Sequence, residues 1–293
     1  MSKAKITLDH VSYTYSKGTP FEIKALDDVC LDIHEGTITG IIGHTGSGKS
    51  TMVQLFNGLS RPMEGRILLD GMDIWEKPKE IGKIRFRVGL VMQYPEYQLF
   101  EETVNADIAY GPKNMGLDEE EIQRRVADSA RFVGLDPSTL SKSPFDLSKS
   151  PFDLSGGQKR RAALAGIMAM RPEVLVLDEP AAGLDPMGRD AILNGICQYQ
   201  KESGATVIIV SHSMEDMARF CDEIVVMDHA KVRMSGDRDA IFARSDELID
   251  AGLDIPEITK IVWLLRSRGI AVDRSIYTVD RAEQELLRLF DLS

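Results

Sequence analysis

Eight consecutive residues constrain this chain more than any others. Gly43, His44, Thr45, Gly46, Ser47, Gly48, Lys49 and Ser50 fit the pattern G-x-x-x-x-G-K-[ST], directly after the apolar run Ile38–Ile42 and before a helix-compatible stretch, Thr51 to Asn57. Strand, glycine-rich turn and helix in that order aim successive backbone N–H groups and the positive end of a helix at one point, which makes a nest for polyphosphate. Lys49 then stands where it neutralises β- and γ-phosphates. The Ser50 hydroxyl takes one Mg²⁺ position, and Thr51 reaches the α-phosphate.

The rest of the chain supplies the scaffold such a loop needs. Short apolar runs at Ile38–Ile42, Val88–Met92, Val174–Leu177, Val207–Val210 and Ile224–Met227 alternate with helical patterns, which predicts an α/β fold with a parallel sheet. Ile6–Tyr15, Val29–Ile33 and Gly65–Asp70 alternate like antiparallel strands and predict a small β-subdomain beside that core. Between Gln93 and Arg171 helix signals take over, including Glu119–Phe132 with Ile122, Val126, Ala130 and Val133 on one face, so a helical subdomain is expected over about residues 95–172. The main domain is placed at residues 1–240. Beyond it, one stripe of Ile258, Ile261, Val262 and Leu265 and another of Val279, Leu286, Leu287 and Phe290 predict a helical interaction region over residues 241–293.

Composition narrows the setting. Hydrophobic residues make up 43% and charged residues 28%, which suits a folded globular chain, and no apolar run approaches the roughly 20 residues of a spanning helix. Met1 to Val11 alternates polar and apolar residues instead of forming an export signal, so a cytoplasmic protein with a peripheral membrane role is expected. The 35 Lys plus Arg against 46 Asp plus Glu leave a net charge of −11, which disfavours nucleic acid as a partner. Cys30, Cys197 and Cys221 are odd in number and without metal-ligand spacing, and read as buried, apolar-like residues in a reducing compartment.

A second chemical signal follows the Val174–Leu177 run. Asp178, at the strand's carboxyl end, is placed to hold Mg²⁺ opposite Ser50, and Glu179 to orient or deprotonate an attacking water. Further on, Leu154, Ser155, Gly156, Gly157 and Gln158 precede a small-residue, basic stretch. Ser155 and the amides of Gly156 and Gly157 make a second anion site at a helix N-terminus.

The Leu154–Gln158 segment resembles the signature of ATP-binding cassette (ABC) ATPases, and other family motifs occur in order over about residues 4–240. Gln93 resembles the Q-loop glutamine, which contacts Mg²⁺, Asp185 the D-loop acid at the dimer interface, and His212 the switch histidine near the γ-phosphate. Tyr15 resembles the aromatic that stacks on adenine, with Tyr13, on the opposite strand face, as its rival. The resemblance implies an ATP hydrolase with ATP and Mg²⁺ as ligands. It also implies a head-to-tail dimer in which each signature closes over the partner's nucleotide.

Three further segments, Gln93–Val104, Asp107–Gly116 and Ile255–Lys260, are similar to the ATPases of energy-coupling factor (ECF) transporters, importers of vitamins and metal ions. The stretches Gly43 to Gly46, Ser150–Leu154 and Lys159 to Ala163 resemble the second of the two paralogous ATPases. The implied partners are a paralogous ATPase (or a second copy), a transmembrane coupling protein and a substrate-binding membrane protein, at the cytoplasmic face of the cell membrane. Glu101, Glu102 and Asp107 are expected to attract a basic coupling helix. A soluble ABC ATPase acting on ribosomes or DNA is the alternative. One departure from the family pattern is a tandem repeat, Ser141–Leu147 followed by the identical Ser148–Leu154, read as an insertion tolerated in a surface loop.

Overall fold

The structure is a computed structural model and describes residues 3–142, 154–273 and 275–290. Most of the tandem repeat therefore lies outside the described residues. Its flanks do not: the Lys142 carbonyl accepts from the Val104 N–H at 3.0 Å, and Leu154 is buried.

Among the described residues ten strands form two sheets. The first is antiparallel, in the order β2 (Ile23–His34), β1 (Ala4–Tyr15), β4 (Glu64–Leu69), β5 (Met72–Asp73). The second runs β10 (Lys231–Asp237), β9 (Glu223–Asp228), β3 (Ile38–Gly43), β8 (Thr206–Val210), β7 (Val174–Asp178), β6 (Val88–Val91). All its pairings are parallel except β9 with β10, which form a hairpin.

Helices connect and flank the strands of the second sheet and continue beyond it. They are α1 (Lys49–Phe56), α2 (Ile81–Arg87), α3 (Val104–Asn114), α4 (Glu119–Phe132), α5 (Gly156–Met168), α6 (Pro186–Ser203), α7 (Met214–Phe220), α8 (Arg238–Phe242), α9 (Ser245–Asp250), α10 (Glu257–Ser267) and α11 (Val279–Leu289).

The apolar runs of β3 and β7 to β9 have no polar side because both sheet faces are buried. Leu175, Leu177, Val207, Ile209, Ile224 and Val226 face a core shared with helices of the α3–α7 stretch. Their alternate neighbours, Val174, Val176, Ile208, Val210, Val225 and Met227, face a second core filled by β1, β2, β4 and α1. Among the described residues no strand lies between β6 and β7, where α3, α4 and α5 pack on one another as the helical subdomain.

The antiparallel sheet is fastened to the parallel one by charge. Lys5 on β1, nearly enclosed, donates to Glu173 at 2.6 Å and to Asp70 at 2.9 Å, and Arg87 at the end of α2 donates to both acids.

The C-terminal helices differ from the sequence expectation in which face is buried. Val262, Val272, Ile276 and Ala282 form a small core with Ile258, Leu265 and Leu289, whereas Ile261, Val279, Leu287 and Phe290 are exposed. Both stripes are thus split between an inward and an outward side. Tyr277 anchors the unit by stacking on Phe242, with ring centroids 5.2 Å apart, and by accepting from Arg238 Nε at 3.0 Å.

Candidate nucleotide site

The phosphate loop occupies the turn between β3 and α1. Gly46 and Gly48 hold left-handed φ values of 81° and 105°, and a Cβ on Gly48 would stand 2.3 Å from the Ala25 carbonyl oxygen. Both conformation and space therefore require glycine there. The Lys49 ammonium is drawn inward and donates to the carbonyls of Gly43 at 2.6 Å and His44 at 2.9 Å.

Beside the loop lies a cavity of about 450 Å³ lined by Tyr15, Thr45, Gly46, Gly48, Lys49, Ser50, Thr51, Gln93, Asp178, Glu179 and His212, with Ile23, Ala25 and Val210. The ends of β1, β3, β6, β7 and β8 converge here, at the carboxyl edge of the parallel sheet, where open α/β sheets place their ligands. Tyr15 presents a partly exposed ring to the cavity and its hydroxyl is 3.1 Å from Thr51 Oγ1. Tyr13 packs edge-on against it at 4.9 Å and does not line the cavity. The imidazole of His44 also turns away, and Ser47 is fully buried beneath the loop.

Two carboxylates face Lys49 across this space. Burial raises Asp178 above the ordinary aspartate range, against the opposing pull of the Ser50 hydroxyl and Lys49. Glu179 is pushed up to about 7, by burial first and by the neighbouring Asp178 second. Its backbone is left-handed, with φ 53°, and its N–H donates to the Val210 carbonyl at 2.9 Å. A non-glycine residue in that region stores strain, which marks functional positions. Glu179 Oε1 is buried, accepts no hydrogen bond among the described residues, and lies 3.5 Å from His212 Nε2. Burial and Lys49 lower the His212 pKa, which favours its neutral form.

Oxygen donors from Ser50, Asp178 and Gln93 on one wall are the hard set that Mg²⁺ takes, and the unpartnered Glu179 oxygen beside them suits a group that must accept from a water. Mg²⁺, when bound, supplies charge neutralisation of phosphate oxygens.

The signature residues stand apart. Ser155 caps α5, accepting from the Gln158 N–H at 3.2 Å while the Gln158 side chain accepts from the Ser155 N–H at 3.0 Å, a reciprocal capping box. None of Leu154 to Gln158 lines the cavity. Asp185 caps α6 through a 2.6 Å bond from the Gly188 N–H.

Sequence reasoning missed the residues that tie these parts together. Arg160, one turn into α5 and buried, donates to the backbone carbonyls of Glu179, at 2.9 Å, and of Ala182. Arg189, on the first turn of α6, donates through Nε to both oxygens of Asp216 at 3.0 Å, and its Nη2 donates to Ser213. The only sequence signal for Arg160 is its place among the basic residues after the signature. Asp107 requires a correction. Its carboxylate is buried and accepts from the Phe100 and Glu101 N–H groups at 3.0 and 3.2 Å, so it braces the chain ahead of α3 from inside the protein instead of standing exposed as a surface charge.

Comparison with known proteins agrees with this geometry. The family model described as ABC transporter matches residues 26–182. The chain is 50% identical, over 98% of both sequences, to the energy-coupling factor transporter ATP-binding protein EcfA2 of Clostridium acetobutylicum. It is 47% identical, over 97% of this chain and 98% of the relative, to EcfA2 of Clostridium perfringens. This chain belongs to the ATP-binding proteins of energy-coupling factor transporters. Among solved structures it resembles CbiO1 from Clostridium perfringens, part of the ABC transporter complex CbiONQ, with a TM-score of 0.74 and 37% identity over 89% of this chain and 99% of that one. It also resembles a dimeric ATP-binding cassette in a post-hydrolysis state bound to ADP and Pi, with a TM-score of 0.69 and 28% identity over 80% and 98% of the two chains. The fold is that of the ABC cassette, and the chain is an ABC-type ATPase of an energy-coupling factor transporter.

Proposed function

We propose that this chain powers an importer of vitamins or metal ions by closing, with ATP, against a second ATPase subunit. The single observation that carries the reading is the separation of two phosphate-directed sites. The loop cavity holds Lys49, Ser50, Asp178 and Glu179, while the capped N-terminus of α5, with Ser155, Gly156 and Gly157, points elsewhere. A second subunit placed head to tail supplies each cavity with the missing signature. Nucleotide then favours the closed pair because it binds that pair better.

Within each cavity the roles follow from position. Lys49 and the loop amides hold the β- and γ-phosphates, Thr45 to Thr51 surround the chain of phosphates, and Tyr15 stacks on the base. Ser50, Asp178 and Gln93 hold Mg²⁺. Glu179 orients and deprotonates the attacking water, with neutral His212 donating toward the γ-phosphate, and Asp185 lies at the interface between subunits.

The membrane partners are inferred from surface chemistry. A mostly apolar groove of about 240 Å³ between α3, the segment before it and the C-terminal part of α5 is lined by residues including Leu99, Phe100, Tyr110, Gly111, Ile167 and Met170. Exposed Tyr94 and Tyr97 precede this segment in the chain, and Glu101 and Glu102 follow Phe100. An apolar helix with basic ends, from a transmembrane coupling protein, fits that surface. Among the described residues no helix is long and apolar enough to cross a membrane, and the chain's place in this reading is peripheral, against the coupling protein on the cytoplasmic face. The outward side of α10 and α11 supports contact with the other ATPase, either a paralogue or a second copy. The substrate-binding membrane protein joins through the coupling protein.

Affinity purification from detergent-solubilised membranes tests the assembly. Recovery of a second ATPase and a polytopic membrane protein is expected. Recovery of ribosomes or DNA in their place would overturn the reading.

A further inference from the structure

His44, the variable residue after the first glycine of the phosphate loop, has a side chain that the nucleotide cavity does not use. Its Nδ1 is 2.9 Å from the Thr45 carbonyl, a group that only accepts, so Nδ1 carries a proton. Its Nε2 lies 3.0 Å from Asp228 Oδ1, which is also an acceptor. A neutral imidazole in that tautomer turns the Nε2 lone pair toward the carboxylate, a contact that a positive species between the two, a metal ion or a proton, satisfies. His229 adds a third donor to the same spot, with Nδ1 2.6 Å from the same carboxylate oxygen. All three candidate ligand atoms lie within 4.8 Å of one another.

We propose that His44, Asp228 and His229 form a site for a divalent first-row transition metal of the Zn²⁺ class. Two imidazoles and one carboxylate select for such ions over Mg²⁺ or Ca²⁺, which prefer all-oxygen sets. The arrangement has the support that metal-bound histidines usually have, because the second nitrogen of His44 is fixed by a backbone carbonyl. Arg233 occupies the other Asp228 oxygen at 3.1 Å, leaving Oδ1 for the ion. That oxygen now sits at hydrogen-bond range from both rings. Bonds of about 2.1 Å to zinc need ligand atoms about 3.3 Å apart, a small opening that exposed His229 permits by rotating. The Arg233 charge opposes a cation, so affinity in the micromolar range is expected.

The placement gives the site a consequence. Asp228 ends β9 and His229 begins the turn to β10, while Gly43 pairs with Met227 on the neighbouring strand. A bound ion would pin the phosphate loop to that turn from the side opposite the nucleotide.

The test uses the full chain without nucleotide, so its outcome is independent of the transport reading. Zn²⁺ is titrated calorimetrically, in a Cys30→Ser background that removes the exposed thiol. One equivalent with micromolar Kd is expected, with a rise in Tm. His229→Asn should weaken binding at least tenfold and abolish the Tm rise. It keeps the fold because Asn tolerates the left-handed φ of 45° found there. Asp228→Asn should behave alike. Absence of binding below about 100 µM, or binding that neither variant weakens, overturns the proposal and leaves a proton as the bridging cation.

Discussion

Arg160 holds the carbonyl of Glu179. Its Nη2 donates to that oxygen at 2.9 Å from a buried position on the signature helix. The residue proposed to orient the attacking water is thereby held by the same helix whose N-terminus is proposed to meet the partner's nucleotide.

Arg160→Met is therefore expected to lower kcat with little change in KM for ATP. It removes no contact to phosphate but frees the left-handed turn at Glu179, and a misplacement of about 1 Å costs roughly a hundredfold in rate. Leaving two partly buried carbonyls without donors also costs up to about 1–3 kcal/mol each. Steady-state kinetics together with thermal melts separate the two effects. A raised KM at unchanged kcat would contradict the positioning role.

Glu179→Gln should keep ATP binding, slow hydrolysis at least a hundredfold and trap an ATP-dependent dimer visible by size exclusion. Its effect on stability should depend on pH. A carboxyl raised from 4.5 to about 7 binds more protons in the folded state than in the unfolded one. Folding therefore loses about 3 kcal/mol as pH rises from 4.5 to about 7 and nothing further above it. The nucleotide-free Gln variant should melt several degrees above the wild type at pH 8, with no such gap near pH 4.5. Wild-type turnover should fall as pH drops through about 7, where the base takes up its proton.

Much of this was legible in the chain itself. The strands of the parallel sheet, helix α4, the loop, Asp178 and Glu179 follow from local patterns, because buried runs and glycine geometry leave a direct mark on sequence. The β9–β10 hairpin left none: its turn is made by His229 and Ala230, at φ 45° and 65°, where glycine or asparagine would have announced it. Arg160, Arg189 and the inward Asp107 were equally illegible, since burial of a charge depends on partners distant in sequence. The stripes of α10 and α11 were visible, but which side turned inward was decided by Val272 and Ile276 on the connecting segment.

Glu173 titrates in the opposite sense. Arg87 first, and Lys5 with it, hold its carboxyl down to about 2 against the pull of burial. The ion pairs thus contribute stability that is complete above the unfolded value near 4.5 and is lost as pH falls toward 2. Glu173→Gln should lower Tm by a few degrees at pH 7 and leave it unchanged near pH 2. An equal loss at both pH values would assign the effect to packing.

Phe100→Asp with Tyr97→Ala should abolish recovery of the membrane coupling protein without altering ATP binding by the isolated chain. Both side chains are exposed, at 57% and 85%, so folding is untouched. Retention of the membrane partner would move the docking surface elsewhere.

The Arg189 link between α6 and the His212 loop has a consequence for timing. Asp185 and Arg189 share the first turn of α6, and Arg189 grips Asp216 and Ser213 just beyond His212. If the pair forms as proposed, a push on Asp185 from the other chain would pass through the first turn of α6 and Arg189 to Ser213, the residue next to His212. The two active sites then need not fire independently. Each can sense whether its neighbour is loaded, and ATP hydrolysis by the pair is expected to show a Hill coefficient above one.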